Sequence, residues 1–204
     1  MNISARSDRR REVALAGYLG DRATAESALE DSDEAIRELA LGAMERLGAL
    51  DDDRIGQMTD DPSIRVRRRL AELLAVHTAV DPTPLLHDDD PTVVEVAAWA
   101  MGERERVDDA VLDRLISLAT SADDPLVRES AAAALGAIGD PLGLPAILAA
   151  CEDKPAVRRR AVLALAPFEG PEVEAAIDRA LSDRDWQVRQ SAEDLRRFGG
   201  LVTD

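Results

Sequence analysis

Aromatic side chains are scarce in this chain: Phe, Trp and Tyr together make up 2% of its 204 residues. The apolar share of 46% is therefore mostly Ala, Leu, Val and Ile, which suits closely packed helices. It does not suit the stacking platforms that single-stranded nucleic acids require. One cysteine, Cys151, leaves no disulfide to form within the chain and excludes the cross-linked secreted class. No apolar run approaches the roughly 18 residues of a membrane span. The opening MNISARSDRRREVALAGYLG carries arginines but no long apolar stretch before a small-residue cleavage site, so no signal peptide is read and the cytoplasm is expected. Lysine is nearly absent, with Lys154 alone among 25 basic residues, and 41 acidic residues set the net charge at −16. A surface of that sign repels phosphate backbones and disfavours nucleic acid, leaving solubility or attraction of a basic partner as its readings.

What the sequence does have is a repeat. In DDPLVRESAAAALGAIGDP, residues 123–141, and DKPAVRRRAVLALAPFEGP, residues 153–171, Pro125, Val127, Arg128, Ala131 and Leu135 recur as Pro155, Val157, Arg158, Ala161 and Leu165, each displaced by thirty. The pattern extends outward through Ile36-Arg37, Val93 followed by Val94 in the arginine place, and Val188-Arg189. In DDPSIRVRRRLAELLAVH either Ile64-Arg65 or Val66-Arg67 could be the anchor. Only the second puts Leu70, Leu73, Leu74 and His77 on the equivalent face. Anchors then fall at 36, 66, 93, 127, 157 and 188, at intervals of 30, 27, 34, 30 and 31. A degenerate unit precedes them, with Leu15, Tyr18, Leu19 and Gly20 matching the later Leu-Gly ending. A variable period near thirty marks a helical stack, whereas a propeller blade is longer and rich in strands.

Each unit reads as two helices. The first opens at Asp-Pro (Asp61-Pro62, Asp90-Pro91, Asp124-Pro125), where the aspartate accepts from orphan N–H groups and proline forfeits no bond. Apolar residues follow at steps of three and four, as in Val127, Ala131, Ala134, Leu135 and Ile138. Gly139-Asp140-Pro141 closes that helix and caps the next, whose stripe is Leu144, Ile147, Leu148 and Cys151. Early second helices are short (Ala25, Ala28, Leu29; then Leu50, Ile55, Met58). The stretch containing Pro82 and Pro84 has room for little more than one turn.

Asp-Pro-x-Val-Arg-x-x-Ala-x-x-Ala-Leu-Gly followed by a second amphipathic helix resembles the HEAT repeat, in the short form called PBS-lyase HEAT-like. The resemblance implies an all-α, right-handed α-α superhelical solenoid of about six to seven helix pairs, with second helices lining the concave face. We expect a single domain, 1–204: a cap over about 7–30, repeats over about 31–59, 60–87, 88–121, 122–151 and 152–181, and a half-repeat over about 182–199.

The arginines after the anchors, Arg37, Arg67, Arg128, Arg158 and Arg189, recur at the fold's own period. They read better as partners of turn aspartates in their own or the adjacent unit than as a basic ladder. The runs Arg9–Arg11, Arg65 with Arg67–Arg69, and Arg158–Arg160 lack aligned aromatics, since Tyr18, Trp99, Phe168, Trp186 and Phe198 are scattered. Asp51–Asp53, Asp88–Asp90, Asp108-Asp109 and Asp123-Asp124 lack EF-hand spacing and fit turns and caps. HEAT-like deoxyhypusine hydroxylases hold two irons through His-Glu pairs. Here His77 precedes Thr78 and His87 precedes Asp88, so that ligand set is absent and no metal or cofactor is expected. Cys151 on its apolar stripe reads as core. Neither GxxxxGK[ST] nor GxGxxG occurs.

No catalytic residues are assigned. The leading reading is a non-catalytic protein-interaction scaffold. Its concave acidic surface, carried by Asp109, Asp113, Glu172, Glu174 and Asp178, would take a protein or peptide segment of basic character. The alternative is an enzyme or enzyme accessory of the HEAT-like group, lyase-type or repair-like, which would gain from a pocket where Trp99 or Trp186 meets convergent carboxylates. Self-association through the last helix (Val188, Ala192, Leu195, Phe198) stays open.

Overall fold

A computed structural model of the chain describes residues 3–199, with side chains over residues 6–197. Among the described residues every regular element is helical, and they form two compact units, Met1–Leu85 and Leu86–Asp204. The first holds α1 (Ile3–Leu19), α2 (Arg22–Ala28), α3 (Glu34–Arg46), α4 (Asp52–Met58) and α5 (Ile64–Leu73). The second holds α7 (Pro91–Gly102), α8 (Asp109–Ser121), α9 (Pro125–Ile138), α10 (Leu144–Ala150), α11 (Pro155–Ala164), α12 (Pro171–Leu181) and α13 (Trp186–Gly199). The division falls in α6 (Thr83–Leu86), the single turn that Pro82 and Pro84 leave room for.

Within each unit the helices sort into two layers. First helices pack on first helices: α1 on α3 and α3 on α5 in one unit, α7 on α9, α9 on α11 and α11 on α13 in the other. Second helices pack beside them, and α8 also touches α10. The anchors Ile36, Val66, Val93, Val127, Val157 and Val188 are all buried. Ile64 is 46% exposed, which settles the anchor of α5 on Val66. Burying each such side chain contributes about 1.5–3 kcal/mol.

Helix starts follow the Asp-Pro signal at two of three places. Asp90 accepts from the Thr92 N–H at 2.9 Å and Asp124 from the Leu126 N–H at 2.8 Å, each with proline in the first turn. Asp61 differs: α5 begins at Ile64, its N-cap is Ser63, and Asp61 accepts from the Ser63 N–H and from Arg37. The reason lies in register. Asp90 and Asp124 stand three residues before their anchors, whereas Asp61 stands five before Val66, as Asp31 stands five before Ile36. The degenerate first unit also differs from its reading. Leu15, Tyr18 and Leu19 are exposed, and Val13, Ala16 and Gly17 are the buried residues of α1 among those described. The Arg46 guanidinium lies over the Tyr18 ring, 4.1 Å from its centroid.

Close approach of neighbouring first helices explains the Leu-Gly mark and the small-residue composition. A Cβ placed on Gly136 would lie 2.5 Å from the Ala164 Cβ and 2.6 Å from its Cα. Only hydrogen fits between α9 and α11 there. Gly139, at φ 70°, ends α9 in the left-handed conformation that glycine adopts without strain.

Gly136→Ala should therefore lower stability by about 1–3 kcal/mol through overpacking. Gly42→Ala, in α3 with nothing within 4 Å of the added carbon, should raise it by up to about 1 kcal/mol. Denaturant midpoints of the two variants check the pair, and equal shifts would contradict the close packing.

Candidate functional site

The recurring arginines form rungs between successive repeats. Arg37 donates through Nε and Nη2 to the Asp61 carboxylate at 2.8 and 2.7 Å, and through Nη1 to the Asp31 carbonyl at 2.8 Å. Arg128 holds Asp153 at 2.5 and 2.9 Å and the Ala122 carbonyl at 2.6 Å. Arg158 holds Asp183 at 2.8 and 2.8 Å and the Asp153 carbonyl at 2.7 Å. Each guanidinium thus ties its own turn to the aspartate of the following repeat, as the period predicted. Hydrogen bonds from Arg128 and Arg158 hold Asp153 and Asp183 below the usual carboxylate range. Burial would raise Asp61, but Arg37 and the Ser63 N–H outweigh it and lower its pKa. Arg67 and Arg189 donate in the same way to the carbonyls of Asp61 and Asp183.

Most other arginines of the basic runs are also engaged by carboxylates: Arg9 with Glu12, Arg10 with Asp33, Arg65 with Glu38, Arg69 with Glu72, and Arg159 and Arg160 with Glu129. Most acidic clusters cap helices, Asp51 for α4 and Asp108 for α8 among them. Cys151 is half-buried, and burial pushes its thiol up to about 11, so it stays protonated near neutrality. Among the described residues no group of three or more His, Cys, Asp or Glu could hold a metal ion, and no helix is long and apolar enough to cross a membrane.

All five carboxylates expected to meet a partner are exposed, but they fall into two groups. Asp109 and Asp113 stand one turn apart on α8. Glu172, Glu174 and Asp178 stand on α12, where Arg196 of α13 reaches Glu174 at 3.8 Å and also binds Asp178. In repeat order α10 lies between, and its sequence LPAILAA has no charged residue. Asp109, Asp113 and Glu172 have no hydrogen-bonding or ionic side-chain partner among the described residues.

Two further expectations change. Trp99 lines a hollow of about 380 Å³ with Glu95, Glu103 and Glu129, but it lies among first helices, between α7 and α9. Glu95 there accepts from the Ser130 hydroxyl at 2.9 Å, and Glu129 faces Arg159 and Arg160. Along α13, Val188 and Ala192 of the stripe named for self-association are buried within their own unit, and Leu195 is half-buried. The Phe198 side chain lies outside the described residues.

Sequence reasoning missed the contacts of His77. Its Nδ1 lies 2.7 Å from Asp52 and its Nε2 2.9 Å from Glu45, residues 25 and 32 positions away and so invisible to local spacing. Burial would lower the imidazole pKa, but the two carboxylates outweigh it and raise it. The stability gained from the charged ring is fully present below about 6.5, the unfolded value, and is lost as pH rises through the folded one. The stability gap between the native chain and His77→Gln should therefore shrink from mildly acidic to alkaline pH. A gap independent of pH, or an imidazole that titrates below its ordinary value by NMR, would contradict the assignment.

Residues 81–156 match the family model of HEAT repeats. A search of the curated proteins gives no match. Among solved structures, human deoxyhypusine hydroxylase in complex with glycerol is similar at 20% identity, over 93% of this chain and 78% of that one, with a TM-score of 0.48. An engineered protein is similar at 20% identity, over 95% and 94%, with a TM-score of 0.52, and this likeness is one of fold alone. A designed armadillo repeat protein is similar at 16% identity, over 91% and 85%, with a TM-score of 0.43. The stretch 81–156, which includes the rung arginine Arg128 and its partner Asp153, consists of HEAT repeats.

Proposed function

We propose that this chain is a non-catalytic protein-interaction scaffold whose second-helix layer takes a basic segment of a partner protein. The observation that carries this reading is the surplus of unpaired carboxylate there. In a chain whose arginines are largely committed to aspartate and glutamate, Asp109, Asp113 and Glu172 have no such partner, and Glu174 and Asp178 share one exposed arginine. Repeat stacks expose long faces of this kind because their stability comes from neighbouring repeats and leaves the outer side chains free to vary. The net charge of −16 favours encounter with a cationic partner and disfavours phosphate backbones. The alternative, an enzyme or accessory of the HEAT-like group, draws on the Trp99 hollow. Its carboxylates Glu95 and Glu129 are already held by Ser130, Arg159 and Arg160, which weighs against a free general acid.

An array of basic and acidic peptides tests the reading. Basic peptides should bind, with affinity falling as salt rises. Neutralising the α8 pair (Asp109→Asn, Asp113→Asn) or the α12 group (Glu172→Gln, Glu174→Gln, Asp178→Asn) should weaken them about tenfold, equivalent to ~1.4 kcal/mol. Affinity unchanged in both variants would reject this face.

A further inference from the structure

One rung of the second unit lacks its arginine. Arg37 lies six residues after Asp31, and Arg128 six after Ala122; the residue six after Asp88 is Val94. The acceptor place before the next arginine holds Asp61 and Asp183, six before Arg67 and Arg189, and Asp153, five before Arg158. Five before Arg128 that place holds Asp123, so the aspartate half of the rung stands without an arginine from α7. The result is a hollow of about 840 Å³ framed by α7, α8 and the start of α9. Val94, Leu118 and Val127 form its buried floor, and Asp88, Asp89, Asp123 and Asp124 stand around it. A single cation, Arg114, enters from α8, and both its Nε and its Nη2 are given to the Leu86 carbonyl at 3.1 and 3.0 Å.

We propose that this hollow receives an arginine side chain from a partner protein, standing where the chain's own rung is missing. At the complete rungs the fold lodges a guanidinium in the corresponding place. The apolar floor suits the aliphatic stem, and a planar guanidinium can bind more than one oxygen at once, which an ammonium does less well. Charge favours it too. The carboxylate of Asp89 has no hydrogen-bonding or ionic partner among the described residues, and that of Asp123 accepts no hydrogen bond there, although Arg128 lies near enough to act on it. The inference rests on reading the chain as a binding module, but it uses none of the carboxylates of α8 or α12 invoked above.

The test uses the full chain and two short peptides identical except for a central arginine or lysine. Their affinities are measured by calorimetry and their site by amide NMR shifts. The arginine peptide should bind more tightly and shift Val94, Leu118 and Ala122. Val94→Arg, which supplies the missing arginine from within, should stay folded and weaken that peptide about tenfold. Asp89→Asn with Asp123→Asn, two exposed positions that cap no helix, should weaken it several-fold, about the effect of removing two partly exposed charges. Equal affinity for both peptides, shifts confined to other residues, or binding unchanged in these variants would each overturn the inference. Binding lost only when the α8 and α12 carboxylates are neutralised would overturn it while leaving the proposed function standing. Arginine binding at this hollow with no effect of those neutralisations would do the reverse.

Discussion

A guanidinium clasped between two turns is the interaction on which the rest of this structure depends. Arg158 is 9% exposed and Asp183 14%, so neither charge is satisfied by water alone, and each needs the other in bidentate geometry. The third donor of the same arginine secures a carbonyl of its own turn. One side chain therefore sets both the conformation of a turn and its distance from the next. The spacing from arginine to aspartate reflects this: 24 residues for Arg37 to Asp61, and 25 for both Arg128 to Asp153 and Arg158 to Asp183. Where the rung is missing, Val94 and Asp123 stand 29 apart, the anchor interval reaches its longest value of 34, and α8 is the longest second helix at 13 residues. Length varies where no rung restrains it.

Around these polar ties the core is built from small aliphatic side chains at close range. The fit of Gly136 against Ala164 brings α9 and α11 nearer than larger residues would permit. A composition poor in aromatics and rich in alanine is what such packing requires. The two devices support each other, since close helices bring the turns within reach of an arginine and the arginine fixes the register in which small residues meet.

Much of this was legible in the chain. Buried valines recur at the fold's period, and the choice of Val66 over Ile64 needed only the face occupied by Leu70, Leu73 and Leu74. Aspartates three residues before an anchor announced caps. Other features depend on contacts between residues far apart in the chain. Asp61 looks like a cap because proline follows it, yet it is a rung acceptor, distinguishable only by counting back from the correct anchor. Val94 departs visibly from the repeat, but its meaning depends on Asp123, 29 residues on. His77 gains its role from Glu45 and Asp52, which local periodicity does not connect to it. The carboxylates of α8 and α12 could be named one by one, whereas their separation into two groups follows from the uncharged α10 between them.

The most direct test of the central claim is a double-mutant cycle on Arg158 and Asp183, using Arg158→Met, Asp183→Asn and the two together in denaturant unfolding. If the rung couples successive repeats, each single change should cost stability and the two should be non-additive by about 1–3 kcal/mol. Strictly additive losses would contradict the account, because the aspartate and the arginine would then be contributing independently of one another.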